Sequence, residues 1–587
     1  MKDWDLTLIY PSEEAWEEDF NKIKDDTLAY LSLQGKLNNA EGFKEYAKIS
    51  QESDDRISKL FVYASMKHDL NQKDNASKLN YARIYSAYSE LASKTSFITP
   101  EILANGKEKI MEIIDNNPEL SMYRYKMDQL FRSQDHFLDA KSEGIMANYQ
   151  EALSGYNRLY DQLAVVDNNS KKVVLTNGEE LEVNESNFQF YLGKLENQED
   201  RRRVFEAIYK FYDGHKNTFA GIYNGIMQAE MASVKNRGYG SILESHLYYN
   251  AIPTSVFTSL IDTARNNSYA LKKYYELRKK YFKLDTLHTY DRFLQFASSD
   301  KKYTYEASKE MVLDACSSLG EDYYNHACRA LEDGRVSVEI KDGKRTGAYS
   351  TSLYNEGAFI LLNHNDNLNS AFTIAHEAGH SIHSLYANES QDMENANYVI
   401  FVAEIASTFN EQLFLDYIMK KSNDKNEKIV ILQQAIDNIV ATFYRQTLFA
   451  NYEYEAHKLV ENQQPVTAEA LCNIMRDLYD KYYGINLNEE AYKNCVWGYI
   501  PHFFHTPFYV YQYATSFAAS LAIYENVKAG KENAFENYLN MLKMGGSNYP
   551  VEIVKSAGVD LTTTEPFMSV VHRLEELTEE LAKLLEE

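Results

Sequence analysis

The amino-acid sequence predicts a mainly α-helical protein with at least two lobes. Residues that interrupt helices are scarce, since only 24 Gly and 9 Pro occur among 587 residues. Apolar residues recur at helical spacing over most of the chain. A single hydrophobic core usually stops growing well below this length, so the chain is expected to divide into lobes or subdomains.

The N-terminal part of the chain consists of successive amphipathic helical patterns, for example over residues 74–95 and 118–134. No cluster of nucleophiles or metal ligands occurs in it. The helical pattern is interrupted near residues 171–183 and then resumes. We therefore predict a helical N-terminal lobe over residues 1–198, which contains this interruption, and a second domain over residues 199–587.

Two short stretches have the pattern of β-strands. In residues 171–183, apolar and β-branched runs flank Asn177-Gly178, which predicts a β-hairpin with a two-residue turn. In residues 336–363, the run VSVEIKDGKRTGAYSTS favours a second hairpin about Asp342-Gly343, and the apolar run AFILLN follows it. We expect a small β-sheet beside the helix that comes next.

Charge and composition argue against several classes of partner. The formal net charge is −25, from 61 basic and 86 acidic residues, so nucleic acid and anionic membrane surfaces are not expected partners. No segment approaches 18 uninterrupted apolar residues, and the first residues are acidic where a signal peptide needs a basic start. We expect a cytoplasmic protein. Its four cysteines, Cys316, Cys328, Cys472 and Cys495, are scattered and predict reduced thiols.

The helix predicted after the second strand stretch carries His376-Glu377-Ala378-Gly379-His380. Histidines four residues apart project from one face of a helix and can bind one metal ion. In this H-E-x-x-H spacing the Glu is a general base for a water molecule that the metal activates. Flanking apolar residues indicate a buried helix, and Ser370 or Asn369 is suited to cap its start.

A catalytic metal site needs a third protein ligand and an open position. His383 lies too far along the helix, since the seven residues from His376 span about 10.5 Å. A role beside the metal ligands or in packing fits it better. Glu404 is the best candidate because it lies in an apolar helical run, where an ionised carboxylate needs a cation. Glu411, two turns later on a similar face, is the competitor.

The motif, the run GAYSTS before it and the run IPHFFHTPFYVYQYATS at residues 500–516 make the chain similar to a known family. They resemble the oligoendopeptidase F group of the thimet-oligopeptidase-like (M3) family of zinc metallopeptidases. The resemblance extends from the second strand stretch to SAGVDLTTTEP near the C-terminus. It implies a mainly α-helical, two-lobed protein with a deep central channel, whose catalytic domain would be residues 199–587.

The resemblance also implies site residues. It implies one zinc ion held by His376, His380 and Glu404, with Glu377 as the catalytic base, and so prefers Glu404 to Glu411. A strand edge in this family pairs with the substrate backbone, a role for which the residues available here are Gly347, Ala348 and Tyr349.

The family further uses a His and one or two Tyr from a late loop to stabilise the oxyanion. The spacing here leaves several candidates, and we favour His502 and Tyr509. His505 and Tyr513 are expected to contact substrate, and Tyr511 is a further candidate.

The reaction expected from these residues is hydrolysis of internal bonds in short, unstructured peptides. Two alternatives stay open. A zinc carboxypeptidase would need a positioned Arg for the terminal carboxylate, and no Arg lies in residues 500–516. A non-catalytic helical binding protein stabilised by metal would usually supply four ligands, and only three are apparent.

Overall fold

The structure is a computed structural model that describes residues 3–586. Its helices in chain order are α1 (Glu13–Leu31), α2 (Ala40–Leu70), α3 (Asn75–Lys94), α4 (Ile98–Ala104), α5 (Lys107–Asp115), α6 (Arg124–Ser133), α7 (Ala140–Leu153), α8 (Gly155–Asp161), α9 (Phe188–Lys194), α10 (Gln198–Gly214), α11 (Lys216–Arg237), α12 (Ile242–Tyr248), α13 (Thr254–Asn266) and α14 (Tyr269–Tyr281). They continue with α15 (Tyr305–Ser317), α16 (Glu321–Ala330), α17 (Leu368–Ser390), α18 (Met393–Ala396), α19 (Ile400–Lys421), α20 (Lys425–Ile439), α21 (Arg445–Glu461), α22 (Ala468–Tyr483), α23 (His502–His505), α24 (Tyr511–Lys528), α25 (Ala534–Lys543), α26 (Pro550–Ser556) and α27 (Glu565–Glu586). The strands are β1 (Lys171–Val174), β2 (Glu180–Val183), β3 (Val336–Ser337), β4 (Tyr349–Leu353) and β5 (Gly357–Leu361).

The chain forms two compact units, each assembled from three separate segments. Unit 1 comprises Met1–Asp135, Lys301–Lys421 and Ile523–Val559, and unit 2 comprises His136–Asp300, Ser422–Ala522 and Asp560–Glu587. Because each unit combines three segments, the two units do not correspond to a division of the chain at a single point. The functional division at residues 198 and 199 stays a prediction.

The mainly α-helical class is confirmed, and the helical periodicity located several elements correctly. The pattern over residues 74–95 corresponds to α3, which begins where the Asp74 carboxylate accepts hydrogen bonds from the backbone N–H groups of Ala76 and Ser77. The pattern over 118–134 is a 3₁₀ turn, Pro118–Tyr123, followed by α6. No helix among residues 3–586 combines the length and apolar character needed to cross a bilayer. The predicted channel stays a prediction.

The hairpin near 171–183 is present, but its turn differs from the predicted one. β1 and β2 pair antiparallel, from Lys171 opposite Val183 to Val174 opposite Glu180. The N–H of Leu175 donates to the carbonyl of Glu179, which closes a three-residue loop rather than a two-residue turn. The physical reason is that only Gly178 in this loop has a positive φ, of 85°, whereas the predicted turn type needs two such residues.

Unit 1 contains a three-stranded sheet in the order β3-β5-β4. β4 and β5 form an antiparallel hairpin, and β3 pairs parallel with β5. The predicted hairpin about Asp342-Gly343 is therefore wrong, since that turn does not join paired strands. Instead the turn is tied to the end of α2, because the N–H of Gln72 donates to the carbonyl of Gly343 at 2.7 Å.

The core of unit 1 fixes this sheet against the first helices. Trp16 of α1, Leu60 of α2 and Phe359 and Leu361 of β5 belong to one buried cluster. The indole N–H of Trp4 donates to the carbonyl of Ile360 at 2.8 Å. Burial of these aromatic and aliphatic groups holds the sheet in place. Within residues 3–586, β4 is an edge strand of this sheet.

Candidate metal centre

Helix α17 carries the H-E-x-x-H motif through the interior of unit 1. The helix begins after Asn367, whose side-chain oxygen accepts from the N–H of Ser370 at 2.9 Å. The predicted caps Asn369 and Ser370 lie inside the first turn instead, because Asn367 has the extended backbone that an N-cap requires. Apolar residues such as Ile374 and Ile382 are fully buried, so the helix is held by packing on its neighbours.

His376, His380 and Glu404 bring three potential ligand atoms together. The two Nε2 atoms lie 3.2 Å apart. Glu404 Oε2 lies 3.4 Å from His376 Nε2 and 3.6 Å from His380 Nε2. Within residues 3–586 this is the one group of His, Cys, Asp and Glu whose atoms converge closely enough to hold a metal ion.

These distances fit a tetrahedral ion. Zinc binds imidazole nitrogen and carboxylate oxygen at about 2.0–2.2 Å, so ligand atoms at tetrahedral corners lie roughly 3.3 Å apart. The three observed separations, 3.2, 3.4 and 3.6 Å, are close to that value. An ion held by these three side chains would have one corner open, which is the arrangement of catalytic rather than structural zinc sites.

Gly379, inside the motif, allows Glu404 to approach the two histidines. A Cβ atom at this position would lie 2.5 Å from the carbonyl oxygen of Ala406 and 2.6 Å from Cα of Ser407. Both contacts are with the backbone of α19, the helix that carries Glu404. The absence of a side chain at Gly379 therefore sets the close contact of α17 with α19 and places Glu404 beside the histidines.

Glu411, the competing candidate, contacts the opposite side of the histidine. His376 Nδ1–H donates to Glu411 Oε1 at 2.6 Å, while His376 Nε2 faces Glu404. Burial by itself lowers the pKa of His376, but the hydrogen bond and charge of Glu411 raise it to about 9. Glu411 therefore holds the His376 ring from the side opposite the Nε2 that faces Glu404.

Glu377 is buried beside the two histidines. Its side chain is 5% exposed, and Oε2 has no hydrogen-bond partner among the described residues. Burial raises the pKa of this carboxyl to about 7, and the carboxylates of Glu404 and Glu411 add to the effect against His376. A buried carboxyl oxygen without a hydrogen bond is costly unless a cation or a bound molecule satisfies it.

A cavity of about 480 Å³ in unit 1 exposes this group of residues. Ala348 and the first four residues of β4, Tyr349, Ser350, Thr351 and Ser352, form one wall of it. The segment from Ala396 to Glu404, including Asn397 and Tyr398, forms another. The strand edge thus borders the same cavity as the histidines and Glu377.

The three predicted strand residues differ in their surroundings. Ala348 and Tyr349 line the cavity, and the Tyr349 hydroxyl donates to Asp69 at 2.7 Å. Gly347 is not among the lining residues. It has a φ of 83°, and its carbonyl accepts from the Asn363 amide at 2.8 Å. Gly347 therefore shapes the entry of the strand.

His383 packs in the interior. It is fully buried, and its ring stacks on Tyr398 with centroids 3.6 Å apart. Neither ring nitrogen has a hydrogen-bond partner among the described residues, and burial lowers its pKa to about 3. Of the two roles considered for His383, these contacts support packing.

The late candidates belong to unit 2. The rings of His502, Tyr509 and Tyr513 contact one another, with centroid separations of 6.0, 6.2 and 5.5 Å. Burial lowers the pKa of His502. His505 lies outside this group, since its Nε2 is 2.9 Å from Asp161 Oδ1. Tyr511 is buried and packs against Phe257.

A buried carboxyl supports the loop before Tyr509. The N–H of Phe508 donates to Glu453 Oε1 at 2.9 Å, and Phe508 has a φ of 54°, which is unusual for a side chain of this size. Glu453 is fully buried, and burial raises its pKa to about 8. The hydrogen bond thus helps to hold a strained backbone next to Tyr509.

Sequence reasoning missed several of these contributors. The role of Glu411 and the support from Glu453 depend on contacts between distant helices, so no local signal could have found them. Gly379 was visible as a helix-interior glycine within the motif, which is a recognisable sign of close backbone approach. Ser350 and Tyr398, which line the cavity, have no comparable signal in the sequence.

Comparison with known proteins adds an independent result. The family model described as "Peptidase family M3" matches residues 191–572, and the model described as "Oligopeptidase F" matches residues 101–168. Oligopeptidase PepF of Bacillus subtilis (strain 168) is 33% identical, covering 99% of this chain and 87% of its own. The oligoendopeptidase F homolog of Borreliella burgdorferi is 32% identical and covers 99% and 98%.

Solved structures are similar to this chain over nearly its whole length. A crystal structure from Chlamydophila abortus superposes with a TM-score of 0.92 at 32% identity, covering 99% of this chain and 98% of that one. The structure of oligoendopeptidase-F from Enterococcus faecium gives a TM-score of 0.75 at 27% identity and covers 98% and 99%. The similarity therefore extends over nearly the whole chain.

Proposed function

Since the chain belongs to peptidase family M3, in its oligoendopeptidase F group, it is a peptide-hydrolysing metalloenzyme, and we propose that its cofactor is one zinc ion. We propose further that it cleaves internal bonds of short, unstructured peptides by means of a water molecule activated by Glu377. The observation that carries the proposal is the convergence of His376, His380 and Glu404 at tetrahedral separations.

The ligand residues are proposed to be those three side chains. When bound, zinc supplies a Lewis acid that polarises the scissile carbonyl and lowers the pKa of water. Glu411 keeps the His376 ring in the orientation that presents Nε2 to the site, because its carboxylate accepts the Nδ1–H.

Glu377 is proposed as the general base and then the general acid. Its carboxylate accepts a proton from the attacking water and delivers that proton to the nitrogen of the leaving amine. Two features support this role. The side chain borders the same cavity as His376 and His380, and its Oε2 makes no competing hydrogen bond within the described chain.

The substrate backbone is proposed to pair with the edge of β4. Ala348 and Tyr349 line the cavity beside Glu377, and β4 has β5 on one side only within the described chain. Backbone pairing reads an extended peptide with little demand on its side chains. Gly347 contributes by giving the chain its turn into the strand, since its φ of 83° suits glycine.

His502 and Tyr509 are proposed to donate hydrogen bonds to the oxyanion that forms at the scissile carbonyl. Their assignment rests on the family resemblance of residues 500–516 and is supported by the contact of their rings in unit 2. Tyr513 contacts both rings and is proposed to bind substrate beside them. His505 is also proposed to contact substrate, which requires that its hydrogen bond with Asp161 first break.

Products of defined peptides test this function. An internally quenched peptide of about ten residues, blocked at both ends, should be cut by the zinc-loaded protein. Mass spectrometry should show the two fragments that cleavage at an internal bond produces. The Glu404→Ala variant should leave it intact. A protein that cleaves only peptides with a free C-terminus would instead be a carboxypeptidase. Metal removal that unfolds a chain without detectable activity would indicate the non-catalytic alternative.

A further inference from the structure

Unit 2 contains a second cavity, of about 230 Å³, that is lined by three basic side chains. Arg292 comes from the 3₁₀ turn Thr289–Phe293, Arg445 from the first residue of α21, and Lys493 from the 3₁₀ helix Lys493–Tyr499. Elements distant in sequence thus converge to place like charges around one space. Such an arrangement costs free energy unless something of opposite charge occupies it.

No Asp or Glu is among the described residues that line the cavity. The acidic side chains nearest in sequence are Asp291 and Glu490, and both have hydrogen-bond or ion-pair partners other than the three basic residues. Asp291 forms a buried ion pair with Arg201 at 2.9 Å. Glu490 accepts hydrogen bonds from the N–H and hydroxyl of Thr289 at 2.7 and 2.6 Å. The absence of a carboxylate from the described lining is notable because the chain contains 86 acidic residues.

The contacts of the three basic residues with the described chain are to tyrosine and aromatic rings and not to carboxylates. Lys493 is only 7% exposed and contacts the Tyr209 hydroxyl at 3.3 Å and the Tyr209 ring at 4.5 Å. Burial, with Arg292 and Arg445, lowers the pKa of Lys493 to about 7, although the charge of Glu490 acts in the opposite direction. The Nε of Arg445 is buried without a hydrogen-bond partner, and none of the three residues forms an ion pair within the described chain.

The walls and the size restrict the ligand. Apolar side chains, among them Phe205, Phe449 and Val496, line the rest of the cavity. Its volume lies below the roughly 300–1,000 Å³ of sites for drug-sized molecules, which disfavours a nucleotide. Guanidinium groups bind carboxylates through paired hydrogen bonds. We propose that this cavity binds a carboxylate carried on a small apolar group, held by Arg292, Arg445 and Lys493.

Two sources could supply this chemistry, a free organic acid or the C-terminal residue of a peptide. His502 also lines the cavity. If His502 contacts the reacting carbonyl, as the proposed function states, the end of a short substrate passes beside this site. The peptide source therefore rests on the proposed function, whereas binding of a free acid does not.

The first test needs no activity. N-acetyl-leucine, which carries a carboxylate and an apolar side chain, should raise the Tm of the zinc-loaded protein in a dose-dependent manner, and N-acetyl-leucine amide should not. Arg445→Gln and Arg292→Gln should each abolish the difference. Lys210→Gln, which removes a charge from an exposed position of unit 2, should retain it. No difference between acid and amide in the wild type, or a difference that survives both arginine variants, would overturn the proposal.

The second test separates the sources. If a peptide supplies the carboxylate, a substrate with a free C-terminus should have a KM about tenfold lower than its C-terminal amide, as expected for one charged hydrogen bond. Arg445→Gln should remove this ratio, and Lys210→Gln should keep it. Equal KM values together with the Tm effect would assign the site to a free acid. If the zinc-loaded wild type shows no peptidase activity but N-acetyl-leucine still raises its Tm, the proposed function is refuted and the carboxylate site is not.

Discussion

His376 donates its Nδ1–H to the carboxylate of Glu411 at 2.6 Å, on the side of the ring opposite the Nε2 that faces Glu404. Such a partner fixes the tautomer and orientation of a ligand, and its loss commonly weakens metal binding about 10- to 100-fold. Glu411→Ala should therefore raise the zinc Kd by that factor. Glu411→Gln should have a smaller effect, because its amide oxygen still accepts the hydrogen bond.

Competition with a chromophoric chelator would measure these affinities. The matched control is Glu339→Ala, which removes an exposed carboxylate from unit 1 and should leave the Kd unchanged. A wild-type Kd in Glu411→Ala would show that the contact with His376 does not support the metal.

Gly379 offers a test of the packing that brings Glu404 to the histidines. Gly379→Ala places a methyl group 2.5 Å from the backbone of Ala406, so α17 and α19 must separate. We expect a loss of about 1–3 kcal/mol in the free energy of unfolding and weaker zinc binding. Urea denaturation and metal analysis would measure the two effects.

The control for this change is Gly221→Ala in α11, where no atom lies within 4 Å of the added Cβ. It should be neutral or stabilising by up to about 1 kcal/mol, because alanine favours helix. Equal stability and zinc affinity in Gly379→Ala and the wild type would contradict the packing argument.

Tyr509→Phe tests the proposed donor to the oxyanion. Removal of one such donor typically lowers kcat about 10²- to 10³-fold, with little change in KM, because the interaction forms in the transition state. Steady-state kinetics on a quenched peptide would show this split. Tyr149→Phe, which makes the same change at an exposed position of unit 2, should keep wild-type values. A rise in KM alone would assign Tyr509 to substrate binding.

Glu453 predicts a dependence of stability on pH. Burial raises its pKa from 4.5 to about 8, with Glu230 adding to the rise and with His457 and the Phe508 N–H opposing it. The folded state thus holds a proton that the unfolded state has released between these values. Its contribution to stability is complete below about pH 4.5 and declines as the pH rises towards 8.

Glu453→Gln mimics the protonated carboxyl and keeps an acceptor for the Phe508 N–H. The variant should lose less stability than the wild type between pH 6 and pH 8, and urea denaturation at several pH values would show the difference. Parallel curves for the two proteins would contradict the assignment. Glu453→Ala should in addition lower kcat, since Phe508 loses its partner next to Tyr509.

Local patterns in the sequence were enough to predict the fold class and the proximity of the two histidines in the motif. Helices follow from periodicity, and the meeting of His376 with His380 follows from the geometry of one helix turn. The choice of Glu404 over Glu411 needed the family resemblance. Both carboxylates belong to α19, and their positions were visible only in the structure, where Glu404 Oε2 lies 3.4 Å from His376 Nε2 and Glu411 Oε1 lies 2.6 Å from His376 Nδ1.

Features that depend on distant segments could not be predicted. The parallel pairing of β3 with β5 replaced the hairpin expected at Asp342-Gly343, because the turn residues bind to the end of α2. Residues 500–516 contain no arginine that could bind a terminal carboxylate. The fold instead brings Arg292 and Arg445 to the cavity that His502 lines.

The central claim is that Glu377 moves the proton in a reaction at a zinc ion held by its neighbours. The most direct measurement is the turnover of Glu377→Gln on an end-blocked peptide, with zinc content determined on the same sample. We predict one zinc per chain, as in the wild type, and a kcat lower by about 10²-fold or more. Near-normal turnover in the zinc-loaded variant would contradict the account.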